Sequence, residues 1–286
     1  MPFFEKNKLL LIHIPKTGGT SIEKYFSKKF NIRLGPNELY FSYYENTIAN
    51  ELSKYRKIWK DILQQQKKLQ NNLSIKRVSS FTSIDSLDNN NRETIPQFKL
   101  FKKIRLAKEL RHSLQHLTWS EIQINKEILW DNTEHHIITS NDPYERNEYE
   151  ILTVVRNPYD RIISELLFRG IINNETIDRP KTVYNKLKKF LEKHEDIFDN
   201  HKLPQYLYLI NDIGQILENV TILHTETLTE DMKCIGYSDF DHYYQVSKCK
   251  VKTGNTKYSS YLNRSAIELI NNYYKRDFEL FNYDML

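Results

Sequence analysis

His13-Ile14-Pro15-Lys16-Thr17-Gly18-Gly19-Thr20-Ser21 is the stretch on which the reading of this chain turns. It follows Lys8-Leu9-Leu10-Leu11-Ile12, and the run from 8 to 14 is short and mostly apolar, suited to a buried parallel strand. Pro15 to Gly19 break that run. Thr20-Ser21 then opens a helical pattern that puts Ile22, Tyr25, Phe26 and Phe30 on one face. A strand that reaches a helix through a glycine pair leaves backbone N–H groups unpaired at the positive end of the helix dipole, which makes an anion site. The glycines let the backbone come close to the anion, Thr17, Thr20 and Ser21 offer hydroxyls, and Lys16 offers a point charge. The chain has only 7 glycines in 286 residues, so an adjacent pair needs a backbone reason. The loop is not a Walker A motif, because its lysine precedes the glycines instead of following them. A mere tight turn would not account for the lysine and hydroxyls gathered there.

A second unit of the same design lies downstream. Ile151-Leu152-Thr153-Val154-Val155 reads as a strand and Arg156-Asn157-Pro158 as a turn, followed by a helix with Ile162, Ile163, Leu166 and Leu167 toward the core. Asn157 is a good N-cap and Pro158 a good first helical residue. Two such units predict an α/β fold, a P-loop-like parallel sheet flanked by helices. Val220-Thr221-Ile222-Leu223-His224 is a further strand. The region 264–281 reads as one amphipathic helix with Ile267, Ile270, Tyr274 and Phe278 on one side. Between the two units, Ile48, Leu52, Tyr55, Trp59, Ile62 and Leu69 recur near helical period and predict a long helix that packs on the sheet or serves as an arm for a partner. Residues 79–92 are polar and read as a loop.

Composition narrows the function classes. With 39% hydrophobic and 28% charged residues the chain is of ordinary globular type, and its net charge of +5 suits an anionic ligand. The charge is too small and too evenly spread to argue for nucleic acid. The apolar run is far too short to span a bilayer, and residues 1–6 lack signal-peptide character, so a soluble, cytoplasmic protein is expected. Cys234 and Cys249 form no CxxC pair and read as ordinary reduced thiols, although a disulfide between them stays open. The sequons at Asn72, Asn174, Asn219 and Asn263 are accidents expected of an asparagine-rich chain.

His13 to Ser21 closely resembles the 5′-phosphosulfate loop of sulfotransferases, particularly the carbohydrate and bacterial group. Arg156-Asn157-Pro158-Tyr159-Asp160-Arg161-Ile162-Ile163-Ser164 is similar to the 3′-phosphate-binding strand and helix of that family, with Arg156 and Ser164 at the positions of the phosphate ligands. Ser164 lies two helical turns beyond Asn157 and so faces the same side as the helix start. Leu203-Pro204-Gln205-Tyr206-Leu207-Tyr208, the segment 222–228 and Tyr274-Lys275-Arg276-Asp277-Phe278-Glu279-Leu280-Phe281-Asn282-Tyr283 also resemble family segments. The resemblance does not cover 37–105, which is expected to be a helical insertion within a single domain, 1–286.

The resemblance implies 3′-phosphoadenosine-5′-phosphosulfate as donor, held by Lys16, Thr17, Gly18, Gly19, Thr20, Ser21, Arg156 and Ser164, with a hydroxyl acceptor, expected to be a glycan, and no metal. Sulfuryl transfer to an alcohol needs a proton acceptor, and histidine is the usual one near neutral pH. Among nine histidines, His116 precedes Thr118 and Glu121, an S/T-x-x-E capping box, which puts it just ahead of a helix N-terminus that disfavours imidazolium. Gln115 to Ile122 is also similar to the family's His-x-Thr-x-x-Glu-Ile stretch, whose histidine is the proposed base. His13 is expected to point into the core or a backbone network. His135 and His136 are adjacent and would face opposite sides of a strand, so they do not make a metal pair. Glu226 is open between an acceptor-site carboxylate and a capping or ion-pairing role. Two other classes remain: a nucleotide kinase or phosphotransferase with an unusual phosphate loop, and a catalytically inactive donor-binding module.

Overall fold

The apolar runs become strands because each has a neighbour that satisfies its backbone, and the two central runs are buried on both faces. The computed structural model describes residues 3–4, 8–31, 114–125, 150–173, 175–192, 200–241 and 261–286. Strand β2 (Leu9–Ile12) runs parallel to β3 (Glu150–Val155), and β3 runs parallel to β4 (Val220–His224). Leu9 stands opposite Glu150, Ile12 opposite Thr153, and Val155 opposite His224. The expected parallel sheet is therefore present, and β1 (Phe3–Phe4) adds an antiparallel edge to β2. A connection as short as the one between β1 and β2 can only return the chain antiparallel.

Side chains alternate between the two faces with the period of a strand. Leu9, Leu11, Leu152 and Val154 pack with Ile22 and Phe26 of α1 (Gly19–Lys29) and with Leu228 and Met232 of a later helix. Leu10, Ile12, Ile151 and Val155 turn the other way, onto Leu117, Trp119 and Ile122 of α2 (Trp119–Ile124), Tyr208 and Phe281. Full burial of each such aliphatic side chain contributes about 1.5–3 kcal/mol. Thr153 is the polar member of the central strand, and its hydroxyl donates to the Ile12 carbonyl at 2.9 Å.

A third apolar cluster lies among helices. It joins Ile162, Ile163 and Leu166 of α3 (Pro158–Phe168), Val183 and Leu187 of α4 (Pro180–Glu192), and Ile270, Tyr274 and Phe278 near the end of the described chain. Helix α5 (Leu228–Cys234) follows β4. The expected single C-terminal helix is instead two, α6 (Arg264–Tyr273) and α7 (Lys275–Leu280), broken at Tyr274. The apolar stripe continues across the break, which is why periodicity alone does not reveal it.

Asn157 caps α3 by accepting from the Tyr159 amide at 3.0 Å, with Pro158 at the first turn as expected. The predicted insertion 37–105, with its helix and polar loop, lies outside the described residues, as do His135, His136, Cys249, Asn72 and Asn174. Among the described residues no helix is long and apolar enough to cross a membrane.

Candidate active site

The loop after β2 and the loop after β3 both leave the C-terminal edge of the sheet, where open α/β sheets bind ligands. Gly18 takes the left-handed conformation at φ 96° as N-cap of α1, and no side chain caps that helix. Gly19 is needed for a different reason. A Cβ placed there would lie 2.5 Å from the His13 ring, closer than real contacts allow. Lys16, also at positive φ, is half-buried, with its ammonium 4.2 Å from the centroid of the Phe168 ring.

The predicted loop hydroxyls part company. Thr17 is fully buried, and its hydroxyl donates back to the Ile14 carbonyl at 2.8 Å, so it holds the loop's shape. Ser21 is buried in the first turn of α1, whereas Thr20 is exposed. The Thr17 hydroxyl that the sequence singled out is thus engaged within the loop itself.

Several side chains lock the two loops together. Arg156 Nη1 donates to the Lys16 carbonyl at 3.3 Å. Arg161, buried, donates through Nε to the Pro15 carbonyl and through its other nitrogens to the carbonyls of Leu203 and His201. Thr225, just past β4, donates to the carbonyls of Thr17 and Val155, tying the ends of neighbouring strands through one hydroxyl. Gln205 receives the Arg156 amide at 2.9 Å and donates to the Arg156 carbonyl at 2.8 Å, completing the backbone of the first residue after β3. Ser164 sits half-buried on α3, one turn beyond Arg161.

His116 ends a 3-10 turn (Leu114–His116), and the predicted capping box follows it. Glu121 N donates to Thr118 Oγ1, and the Thr118 amide donates to Glu121 Oε2. His116 is buried, and its ring meets those of His13 and His201 edge to face at centroid distances of 5.1 and 4.9 Å. His13 does point inward, as expected, and its Nδ1 lies 2.5 Å from Glu23 Oε1. Gln115 donates to both Glu23 oxygens at 3.1 Å. Burial pushes the Glu23 carboxyl up, but the charge and hydrogen bond of His13, with help from Gln115, hold it below the usual glutamate value.

His201 Nδ1 lies 2.7 Å from Glu165 Oε2, and Arg169 bonds the other oxygen of that glutamate. Glu165 is likewise lowered, its burial outweighed by His201 and Arg169. Glu226 is a capping carboxylate here, accepting from the Asn157 amide at 2.8 Å and the Tyr283 hydroxyl at 2.9 Å. Burial, reinforced by Glu226, pushes the Tyr283 phenol well above its usual range. Among the described residues no group of three or more His, Cys, Asp and Glu side chains is arranged to hold a metal ion.

The loop, Arg156, Ser164 and His116 are the residues that the sequence singles out as candidates. Glu23, Gln115, Glu165, Arg161 and His201 were not assigned a role, and no short-range pattern marks them. Apart from the Glu165–Arg169 pair, four residues apart, the contacts that join them lie between 10 and 146 residues apart in the chain.

The parallel sheet gathers a glycine-turned loop, Arg156, Arg161 and Lys16 at its C-terminal edge, the place where open α/β sheets bind ligands. The model of the sulfotransferase family matches residues 2–284, and the chain belongs to that family. No curated protein and no solved structure matches the chain.

Proposed function

We propose that this protein transfers the sulfuryl group of 3′-phosphoadenosine-5′-phosphosulfate to a hydroxyl, with a carbohydrate as acceptor and His116 as general base, and that it works in the cytoplasm. The observation that carries the reading is the junction of the two resembling motifs, where Arg156 donates to the carbonyl of Lys16. That junction suits a ligand with phosphate at both ends of a nucleoside. The loop amides, Lys16, Thr20 and Ser21 would face the 5′ end, and Arg156 and Ser164 the 3′-phosphate.

The reaction is an in-line displacement. The acceptor oxygen forms a bond to sulfur while the bond between sulfur and the 5′-phosphate oxygen breaks. The hydroxyl proton passes to the His116 imidazole, and the leaving phosphate keeps the bonding pair. Lys16 and the first amides of α1 stabilise the charge that develops there, the same electrostatic logic as in phosphoryl transfer. His116 lies beside His13, whose ring packs on Gly19, so the base sits next to the donor loop.

Calorimetry with 3′-phosphoadenosine 5′-phosphate, against ATP with and without Mg²⁺, tests the donor site. Metal-independent binding that requires the 3′-phosphate is expected, weakened at least about tenfold by Lys16→Ala or Arg156→Ala on loss of a charge-assisted contact. Preference for ATP with Mg²⁺ would instead make the chain a nucleotide phosphotransferase. His116→Ala should keep donor-product binding and lower turnover at least about 10²-fold. Surviving turnover would move the base elsewhere.

A further inference from the structure

His13, His116 and His201 come from three distant segments and are buried to within 4%, 6% and 6% of full exclusion from solvent. Packing three imidazoles together in the interior is costly unless each has a polar reason to be there. The two outer rings have one each. His13 is bound to Glu23 and His201 to Glu165, and both glutamates are themselves almost completely buried. The middle ring, His116, touches both outer rings edge to face.

We propose that His13, His116 and His201 form one electrostatically coupled row, and that Glu23 and Glu165, at its two ends, are positioning residues that set the proton affinity of His116 without touching it. The inference rests on the assignment of His116 as base for its catalytic consequence, but not for the coupling itself.

The fixed charges at its two ends support it. Glu23 places a carboxylate against one outer ring and Glu165 against the other, with Arg169 bonded to Glu165. Other charged groups among the described residues also lie near the row, Arg161 donating to the His201 carbonyl at 3.1 Å. From α2, Glu121 is engaged by Thr118 and by Asn200, which also donates to the His116 carbonyl. Lys202 lies over the Phe190 ring at 4.8 Å. Lys16 lies over Phe168, and that ring stacks on His201 at 5.7 Å, so the donor-loop lysine abuts the same end of the row. A proton taken by His116 from an acceptor would thus appear between two fixed carboxylates, in a site where water does not screen them.

The test is titration of the histidine rings by NMR in the full chain and in Glu165→Gln and Glu23→Gln, with the His116 signal assigned by its loss in His116→Asn. Removing a negative charge disfavours imidazolium, so the His116 midpoint is expected to fall by about one pH unit in either variant. Retained binding of 3′-phosphoadenosine 5′-phosphate shows that the variant is folded, and the second variant answers if the first is not. A His116 midpoint that stays put while only the directly bonded ring moves would overturn the proposal. The acid limb of the kcat profile should move down in pH by the same amount. Coupling seen by NMR with an unmoved acid limb would uphold the row and remove His116 as the base.

Discussion

At Gly19 the fold accepts a hydrogen and nothing larger, because the His13 ring already fills the space. Gly19→Ala should therefore overpack the joint between the donor loop and His13, costing about 1–3 kcal/mol in chemical denaturation. It should also weaken binding of 3′-phosphoadenosine 5′-phosphate, because the first turn of α1 must shift. Stability and binding unchanged from the parent would show that the ring moves aside freely. The sequence flagged the glycine pair as needing a backbone reason, yet the two residues need different ones. Gly18 supplies a left-handed turn, a property readable from residue type and position. The need at Gly19 comes from a ring six residues earlier, whose inward direction depends on Glu23, and no local rule forecasts that pairing.

Elements were legible where their signals are short-range. The box at Thr118 and Glu121, the cap at Asn157 and the strand Val220–His224 all depend on residues a few positions apart, and all stand where the sequence put them. The break at Tyr274 escaped because its causes are tertiary. The Tyr274 hydroxyl donates to the Lys202 carbonyl, and Asp277 accepts the amides of Gln205 and Tyr206 at 2.8 and 2.9 Å, 72 and 71 residues away. Helix α7 thus caps the 3-10 turn (Gln205–Tyr208) that carries Gln205, the residue completing the backbone of Arg156. Burial pushes the Asp277 carboxyl up, against the pull of Arg161 and these amides. Asp277→Ala should leave two buried amides without acceptors and lower stability by about 2–4 kcal/mol. It should also weaken donor-product binding through Arg156. Asp277→Asn, which keeps one acceptor oxygen, should recover part of both. Equal losses for Ala and Asn would mean that charge, not acceptance, is what the turn requires.

For the whole molecule, the mostly apolar runs of β2 and β3 announced strands buried on both faces, and the clusters on each face agree. Strand order was not readable, because periodicity says which side chains are buried and not which strand lies alongside. The segment 37–105 is proposed as an insertion within one domain. On that proposal its deletion, with the ends rejoined by a flexible linker, should leave affinity for 3′-phosphoadenosine 5′-phosphate within about threefold by calorimetry. Loss of binding by a deletion variant that still folds would assign donor contacts to that segment.

The pairing of Leu9–Ile12 with Glu150–Val155 also sets a timetable for biosynthesis. Some 140 residues separate Ile12 from Ile151, and at ribosomal speeds of roughly 5–20 residues per second the first strand waits about 7–28 s for its partner. Throughout that interval the side of Leu9–Ile12 that β3 will occupy stays open, the kind of strand edge on which nascent chains stick to one another. The loop 13–21 is translated well before the residues that hold it, because Arg161, Gln205 and Thr225 must all emerge first.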